Sequence, residues 1–232
     1  MVRPLRRLWV KMRDANTIWT RPNSSKLTAV ATVVLAALLS SAAASAGEIH
    51  THDGFHLRFG VGLVGGASTV YSGDTSLTFG GPGLLDGVQV GGSPIENLSI
   101  FFEADCLTLF SANTGSNKDG GLKPSNQDGP SFYGLMTGVG VGYYFMPQNI
   151  YVSGAVGAAF NRVSLSDDGV DFNTQDMGFG FTAMAGKEWW VSDNWGVGMA
   201  GQFLYLQGSG RTSAVASSHT VAFGLILTAT YN

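Results

Sequence analysis

Few residues in this chain of 232 have types and spacings that could do chemistry. Ser217, Ser218 and His219 invite a hydrolase reading, which needs a His and a Ser oriented together with a carboxylate. Adjacent residues on an extended strand point to opposite faces, so Ser218 and His219 cannot share a site, whereas Ser217 and His219 can. No catalysis is expected from them. His50, His52, Asp53 and His56 could chelate a divalent cation, but no ordered element fixes the first two, and the stretch reads as a flexible tail with no metal. Asp167, Asp168, Asp171 and Asp176 lack EF-hand spacing, with Asp176 where a glycine should turn the chain. They read as a solvated loop, with divalent bridging to anionic lipopolysaccharide as the weaker alternative. Gly60-Val61-Gly62-Leu63-Val64-Gly65 matches the dinucleotide fingerprint by letter, yet Gly66-Ala67-Ser68-Thr69 cannot open the helix that binding requires. No cofactor is expected.

Charge divides the chain in two. Residues 1–46 hold seven of the 13 basic side chains and one of the 16 acidic ones, which leaves six and fifteen beyond them, so the body is net −9 rather than −3. A nucleic-acid binder is excluded by the missing basic patch. Disorder is excluded by 44% hydrophobic and 11% aromatic content. All 33 glycines fall after residue 46, which argues against a helical body. The first 46 residues read as a cleaved secretory signal peptide. Arg3, Arg6, Arg7, Lys11, Arg13, Arg21 and Lys26 form the basic region, Leu27 to Leu39 the apolar run, and Ala44-Ser45-Ala46 the cleavage site, with Met12 an alternative start. That apolar run is shorter than the ~20 residues of a helical span. Cys106 is the single cysteine, so there is no internal disulfide and no amino-terminal lipid anchor.

From Phe55 onward the pattern has period two. Phe55, Leu57, Phe59, Val61 and Leu63 alternate with smaller or polar residues, as do Val221, Phe223, Leu225, Leu227, Ala229 and Tyr231 at the other end. Eight such segments occur, the others near Gly83–Gly92, Leu98–Phe110, Tyr133–Phe145, Ile150–Ser164, Gly178–Val191 and Trp195–Leu206. Each has about 9 to 15 residues, enough to cross a bilayer at a tilt. Their connections alternate: tight turns at 93–97, 146–149 and 192–194, and long polar stretches at 67–81, 111–131, 166–176 and 207–218. Short turns at one end and long loops at the other are the mark of an up-and-down transmembrane barrel, with the short turns periplasmic.

This architecture sorts the remaining residues. Aromatics gather at two levels, Phe55, Tyr143, Phe145, Trp189, Trp195 and Tyr231 near the turns and Phe110, Tyr133, Phe160, Phe179 and Tyr205 near the loops, as two interfacial girdles. The opposite parity places Arg58, Glu103, Asp105 and Glu188 inside, where buried charges must pair, and a lumen ion-pair network is expected. Met136, Met184, Phe101, Tyr144, Tyr151 and Trp190 would fill part of an interior otherwise lined by Gly, Ala, Ser and Thr. Lys187 falls on the lipid parity beside Trp189 and can snorkel. Asp86 also falls on the lipid parity, which calls for a bulge or a shifted span in the second strand.

Three stretches carry a resemblance: Asp53-Gly54-Phe55-His56-Leu57-Arg58, the segment Gly186-Lys187-Glu188-Trp189-Trp190-Val191-Ser192-Asp193-Asn194-Trp195, and the alternating last strand. In these the chain resembles the small OmpA/OmpX-like eight-stranded outer-membrane barrels of Gram-negative bacteria. The resemblance implies an all-β, eight-stranded antiparallel barrel over residues 54–232, preceded by the helical signal peptide (1–46) and a short periplasmic tail (47–53). It also implies residence in the bacterial outer membrane, with membrane lipid and lipopolysaccharide around the barrel and the barrel assembly machinery as a partner. That machinery reads a terminal aromatic residue, and here Tyr231 is followed by Asn232. The expected role is structural or surface-interacting, with a closed or very narrow lumen and four surface loops offered to an extracellular ligand. A narrow channel or carrier for small or hydrophobic solutes is the alternative, and a lipid A-modifying enzyme the remote one.

Overall fold

The computed structural model describes residues 51–72, 75–110, 113–116, 131–167, 170–210 and 217–232. The expected signal peptide, His50 and the start of the tail lie outside the described residues. Nine strands are present among the described residues: β1 (Gly54–Ser72), β2 (Thr75–Ile95), β3 (Leu98–Leu109), β4 (Asn113–Ser116), β5 (Ser131–Phe145), β6 (Ile150–Asp167), β7 (Val170–Trp190), β8 (Trp195–Gly210) and β9 (Ser217–Tyr231). Each long strand pairs antiparallel with its sequence neighbours, and β1 pairs with both β2 and β9, so eight strands close into a barrel. The short β4 lies outside this ring and pairs with the start of β2.

Register fixes the shape. The partners Leu57, Val90, Phe102, Val139, Val156, Phe181, Tyr205 and Val221 lead once round the wall to Ala67, ten residues above the starting point on β1. With about 3.3 Å per residue and about 4.8 Å between strands, that shear tilts the strands by about 40° and sets a wall radius of roughly 8 Å. Such a barrel is just wide enough to be filled by side chains.

Alternation along the strands separates two environments. On β3 every second residue from Ser99 to Leu109 is buried. The outward parity is unusually apolar: Leu63 is 72% exposed, Leu225 67% and Phe223 62%. A water-soluble chain does not leave its largest aliphatic and aromatic side chains outermost on a continuous wall, whereas lipid imposes just that.

Four expectations are corrected. The polar stretches 67–81 and 166–176 are not loops, since β1 runs to Ser72, β2 begins at Thr75, and β6 and β7 continue to Asp167 and Val170. Their backbone groups pair with each other, which requires no apolar pattern. The stretch 207–218 is likewise strand up to Gly210 and again from Ser217. Asp86 sits in unbroken register between Val61 and Cys106, so neither a bulge nor a shifted span turns it inward; the one irregularity of the β2–β3 ladder lies between Gly92 and Ile95.

Candidate functional site

The interior is divided by height. Toward the short turns it is polar and centred on Arg58, which is buried on β1. Its Nε donates to Thr230 Oγ1 on β9 at 3.1 Å, Nη1 to Gln89 Oε1 on β2 at 3.0 Å, and Nη2 to Glu188 Oε1 on β7 at 3.0 Å. Nη2 also meets the Tyr144 hydroxyl of β5, and the guanidinium lies over the Tyr151 ring, 4.0 Å from its centre. Thr230 donates in turn to Glu188 Oε1 at 2.6 Å.

The four charged residues placed inside by parity are all buried, but only two of them form an ion pair. Arg58 and Glu188 form the ion pair. Glu103 accepts from Gln89 Nε2 and Thr182 Oγ1 at 3.1 Å each, Asp105 accepts from Gln202 Nε2 at 3.3 Å, and the two carboxyl groups share a hydrogen bond. Three carboxyl groups thus share the lumen with one guanidinium, and the shortfall is met by amides, a hydroxyl and the bond between Glu103 and Asp105. Gln89, Thr182, Gln202 and Thr230 were not singled out from the sequence, although each shares the inward parity of the charges it serves. Between them lies a cavity of about 10 Å³, on the order of one water's space, lined in part by Arg58, Gln89, Glu103, Asp105 and Gln202.

Residues 51–53, the described end of the tail, close the mouth of this half, which corrects the expectation of a flexible segment there. His52 is fully buried, its ring stacked on Tyr144 with centroids 3.4 Å apart, and its Nε2 meets Asn149 Oδ1 at 2.8 Å. Its carbonyl accepts from the Asn97 amide at 2.9 Å. Asn97 and Asn149 hold the left-handed positions of two short turns, which asparagine tolerates. Gly54, at φ 71°, lets the chain leave the tail and enter β1. Burial holds the His52 imidazole below its ordinary value. His56, on β1, is buried and meets Asn232 Oδ1 at 3.2 Å. Among the described residues no group of three His, Cys, Asp or Glu is arranged to hold a metal.

Toward the long hairpins the interior turns largely apolar, its buried polar side chains bonding in pairs: Asn161 Nδ2 donates to Ser218 Oγ at 3.2 Å and Thr220 Oγ1 to Ser68 Oγ at 2.8 Å. Phe79, Leu85, Leu107, Leu109, Phe132, Met136, Leu204 and Leu206 are all buried and pack into one cluster. Sequence reasoning placed only Met136 of these inside. In the turn-side half, ring space is made by glycine: a Cβ on Gly186 would come within 2.8 Å of the Tyr151 ring, and one on Gly140 would collide with Phe101.

Outside, all eleven girdle aromatics lie on the outward parity. Phe55, Trp189, Trp195, Tyr143 and Phe145 are exposed at the short-turn level and Phe110, Tyr133 and Phe179 at the other, while Phe160, Tyr205 and Tyr231 are half-buried against neighbours. Lys187 Nζ stands 5.8 Å from the centre of the Trp189 ring. Ser217 and His219 are also on the outer parity, where His219 Nδ1 meets the Tyr205 hydroxyl at 2.9 Å. Of the acidic stretch, Asp167 ends β6, Asp171 and Asp176 lie on β7, and Asp168 is outside the described residues.

No known family model matches the chain, and no curated protein sequence matches it significantly. Solved structures do. The outer membrane protein AlkL, determined in lipid bilayers, superposes with a TM-score of 0.50 at 11% identity over 81% of this chain and 94% of its own. OprG from Pseudomonas aeruginosa gives 0.47 at 11%, over 79% and 98%, and neisserial surface protein A gives 0.42 at 16%, over 73% and 95%. At such identities the likeness is one of fold. The apolar exterior and the closed eight-strand wall make this chain a membrane-spanning β-barrel of the bacterial outer-membrane type.

Proposed function

We propose that this protein is a sealed barrel that acts at the membrane surface rather than through its lumen, as a structural and surface-interacting element of the outer membrane. The observation that carries this reading is the apolar cluster across the long-hairpin half of the interior. Leu85, Leu107, Leu109, Leu204, Leu206 and Phe132 fill most of that half, and its buried polar groups bond to one another, Asn161 to Ser218 and Thr220 to Ser68, so a hydrated ion entering from the turn side would meet a largely apolar barrier beyond Asp105. The hairpins β1–β2 and β6–β7 extend the wall past the upper aromatic level, which supports a role for that end in contact with lipopolysaccharide or an extracellular ligand. A non-enzymatic role fits the outward position of Ser217 and His219, whose imidazole is engaged by Tyr205.

Conductance tests the reading. The full chain, reconstituted in a planar bilayer, is expected to give no discrete current steps. Reproducible steps that vanish in Arg58→Ala or Glu103→Ala would show ions passing the polar half, and would replace this reading with the narrow channel.

A further inference from the structure

Between the two aromatic levels, Asp86 is the one carboxylate on the outward parity among the described residues, and it is exposed there. Its lateral neighbours are Val61 on β1 and Cys106 on β3. No described side chain forms a hydrogen bond or ion pair with it. Lys187, the other charged side chain on this part of the outer wall, stands on β7 across the barrel and leans on Trp189. An unpaired carboxyl group facing lipid is unfavourable, and such groups are found where a protein partner covers them.

The wall around Asp86 carries small side chains. Ala104, Cys106 and Thr108 on β3 and Thr137 on β5 flank it, each half-buried; Gly154, Ala158, Ala183 and Ala185 make a second small stretch on β6 and β7, where no carboxylate stands. Cys106 shares a hydrogen bond with Tyr133. The patch therefore combines one acceptor, two hydroxyl groups and small side chains that let another wall approach closely.

The register makes this patch self-complementary. Asp86 pairs across to Cys106, two residues up β3 from Ala104, and Ala104 pairs across to Thr137. Each step to the next strand climbs by about 1.25 residue lengths for this shear, so two steps regain the two residues descended along β3. Asp86 and Thr137 hence lie at nearly the same height, about 12 Å apart on either side of β3. A two-fold axis along the membrane normal, passing between Ala104 and Cys106, brings each copy's Asp86 level with Thr137 of the other. A lipid chain offers no donor for the carboxyl group; a second copy offers two matched pairs. We propose that this protein forms a symmetric dimer in the membrane through the β2–β3–β5 wall, with Asp86 accepting from Thr137 across the interface and the small β3 side chains in close contact.

Energy transfer between labelled copies tests this. A Cys106→Ser background keeps a hydroxyl in the patch, and Asp193→Cys, in the turn before β8, supplies the label. The full chain is placed in phosphatidylethanolamine/phosphatidylglycerol vesicles over a range of protein-to-lipid ratios. Transfer is expected to saturate well above the level of random proximity. Asp86→Leu should raise the protein fraction at half-saturation by about tenfold or more, Thr137→Val by several-fold, and Asp86→Asn by less than about threefold, since an amide can still accept. Ala183→Leu on the β7 wall should change nothing. Heat-modifiable migration confirms the barrel in each variant, and Asp86→Leu, being better suited to lipid, should fold at least as well. Transfer at the random level in the parent protein, or equal saturation in Asp86→Leu, would overturn the proposal.

Discussion

The two halves of the interior are filled in opposite ways. Near the short turns a single guanidinium draws side chains from β2, β5, β7 and β9 onto β1. Near the long hairpins, leucine and phenylalanine side chains dominate, and the polar groups among them bond locally, Asn161 to Ser218 and Thr220 to Ser68. A polar interior is affordable here because the apolar wall faces lipid and the core need not supply the hydrophobic drive. The contrast assigns different work to the halves. Arg58 makes contacts that only one closure of β1 against β9 satisfies, a role in register for which buried polar groups are best attested. The apolar half seals, and packing of that kind accepts changes of shape as long as volume is kept.

Removing the centre of the polar half should show the largest effect. Arg58→Ala leaves Glu188 buried beside Thr230 without its cation, and the barrel is expected to lose about 4 kcal/mol in reversible urea unfolding. Adding Glu188→Gln should recover more than half of that loss, since the uncompensated charge is then gone. Equal losses in the single and double variants would mean that packing over Tyr144 and Tyr151, not charge, is what Arg58 contributes.

In the apolar half the expected loss is somewhat smaller and of another kind. Leu107→Ala should cost about 3 kcal/mol, the lost transfer energy plus the cavity left behind. Leu107→Met, close in volume, should cost under about 1.5 kcal/mol. No second-site change of charge should rescue Leu107→Ala. If a polar substitution such as Leu107→Asn were tolerated as well as methionine, the upper interior would be hydrated, and the division between the halves would fall.

How much of this could be read from residues alone depends on what imposes a pattern. Lipid demands a bulky apolar side chain at every second position, so the closed wall, its outward aromatics and the inward parity of Arg58, Glu103, Asp105 and Glu188 were legible. Beyond the upper aromatic level lipid no longer selects, and strands such as Thr75–Gly81 are held by backbone pairing that Gly, Ser and Thr serve as well as any residue. The apolar seal was hidden because Leu84 and Leu85 are apolar on both parities, so an inward leucine reads as a lapse in the alternation. Parity could place four charges in one lumen, but distance decides how they pair: Arg58 with Glu188 as an ion pair, and Glu103 with Asp105 through a hydrogen bond. His52 lies before the first strand, where there is no period to read.

That histidine gives the smallest expected effect, and one that only the polar half should show. His52 is packed against Tyr144, Trp190 and Asn149, with Asn232, Glu188 and Arg58 near enough to influence it. Burial, the largest influence, lowers its pKa from the ordinary 6.5, with Arg58 acting in the same direction and Asn149, Asn232 and Glu188 opposing. A base whose pKa is lower when docked binds fewer protons docked than released. Docking is therefore at full strength above pH 6.5 and weakens as pH falls below it, where the released tail takes up a proton that the docked tail resists. The Asn97 amide, bonded to the His52 carbonyl, reports this directly. Its hydrogen-exchange protection factor, corrected for the intrinsic rate, should fall as pH drops from 7 toward 5, while amides of β3 beside Leu107 and Leu109 keep theirs. His52→Phe retains a ring to stack on Tyr144 and cannot titrate, so its tail should dock with no dependence on pH in that range. A wild-type profile as flat as that of His52→Phe would mean that the mouth is held by the turn asparagines alone, and that the polar half responds to acid no more than the apolar one.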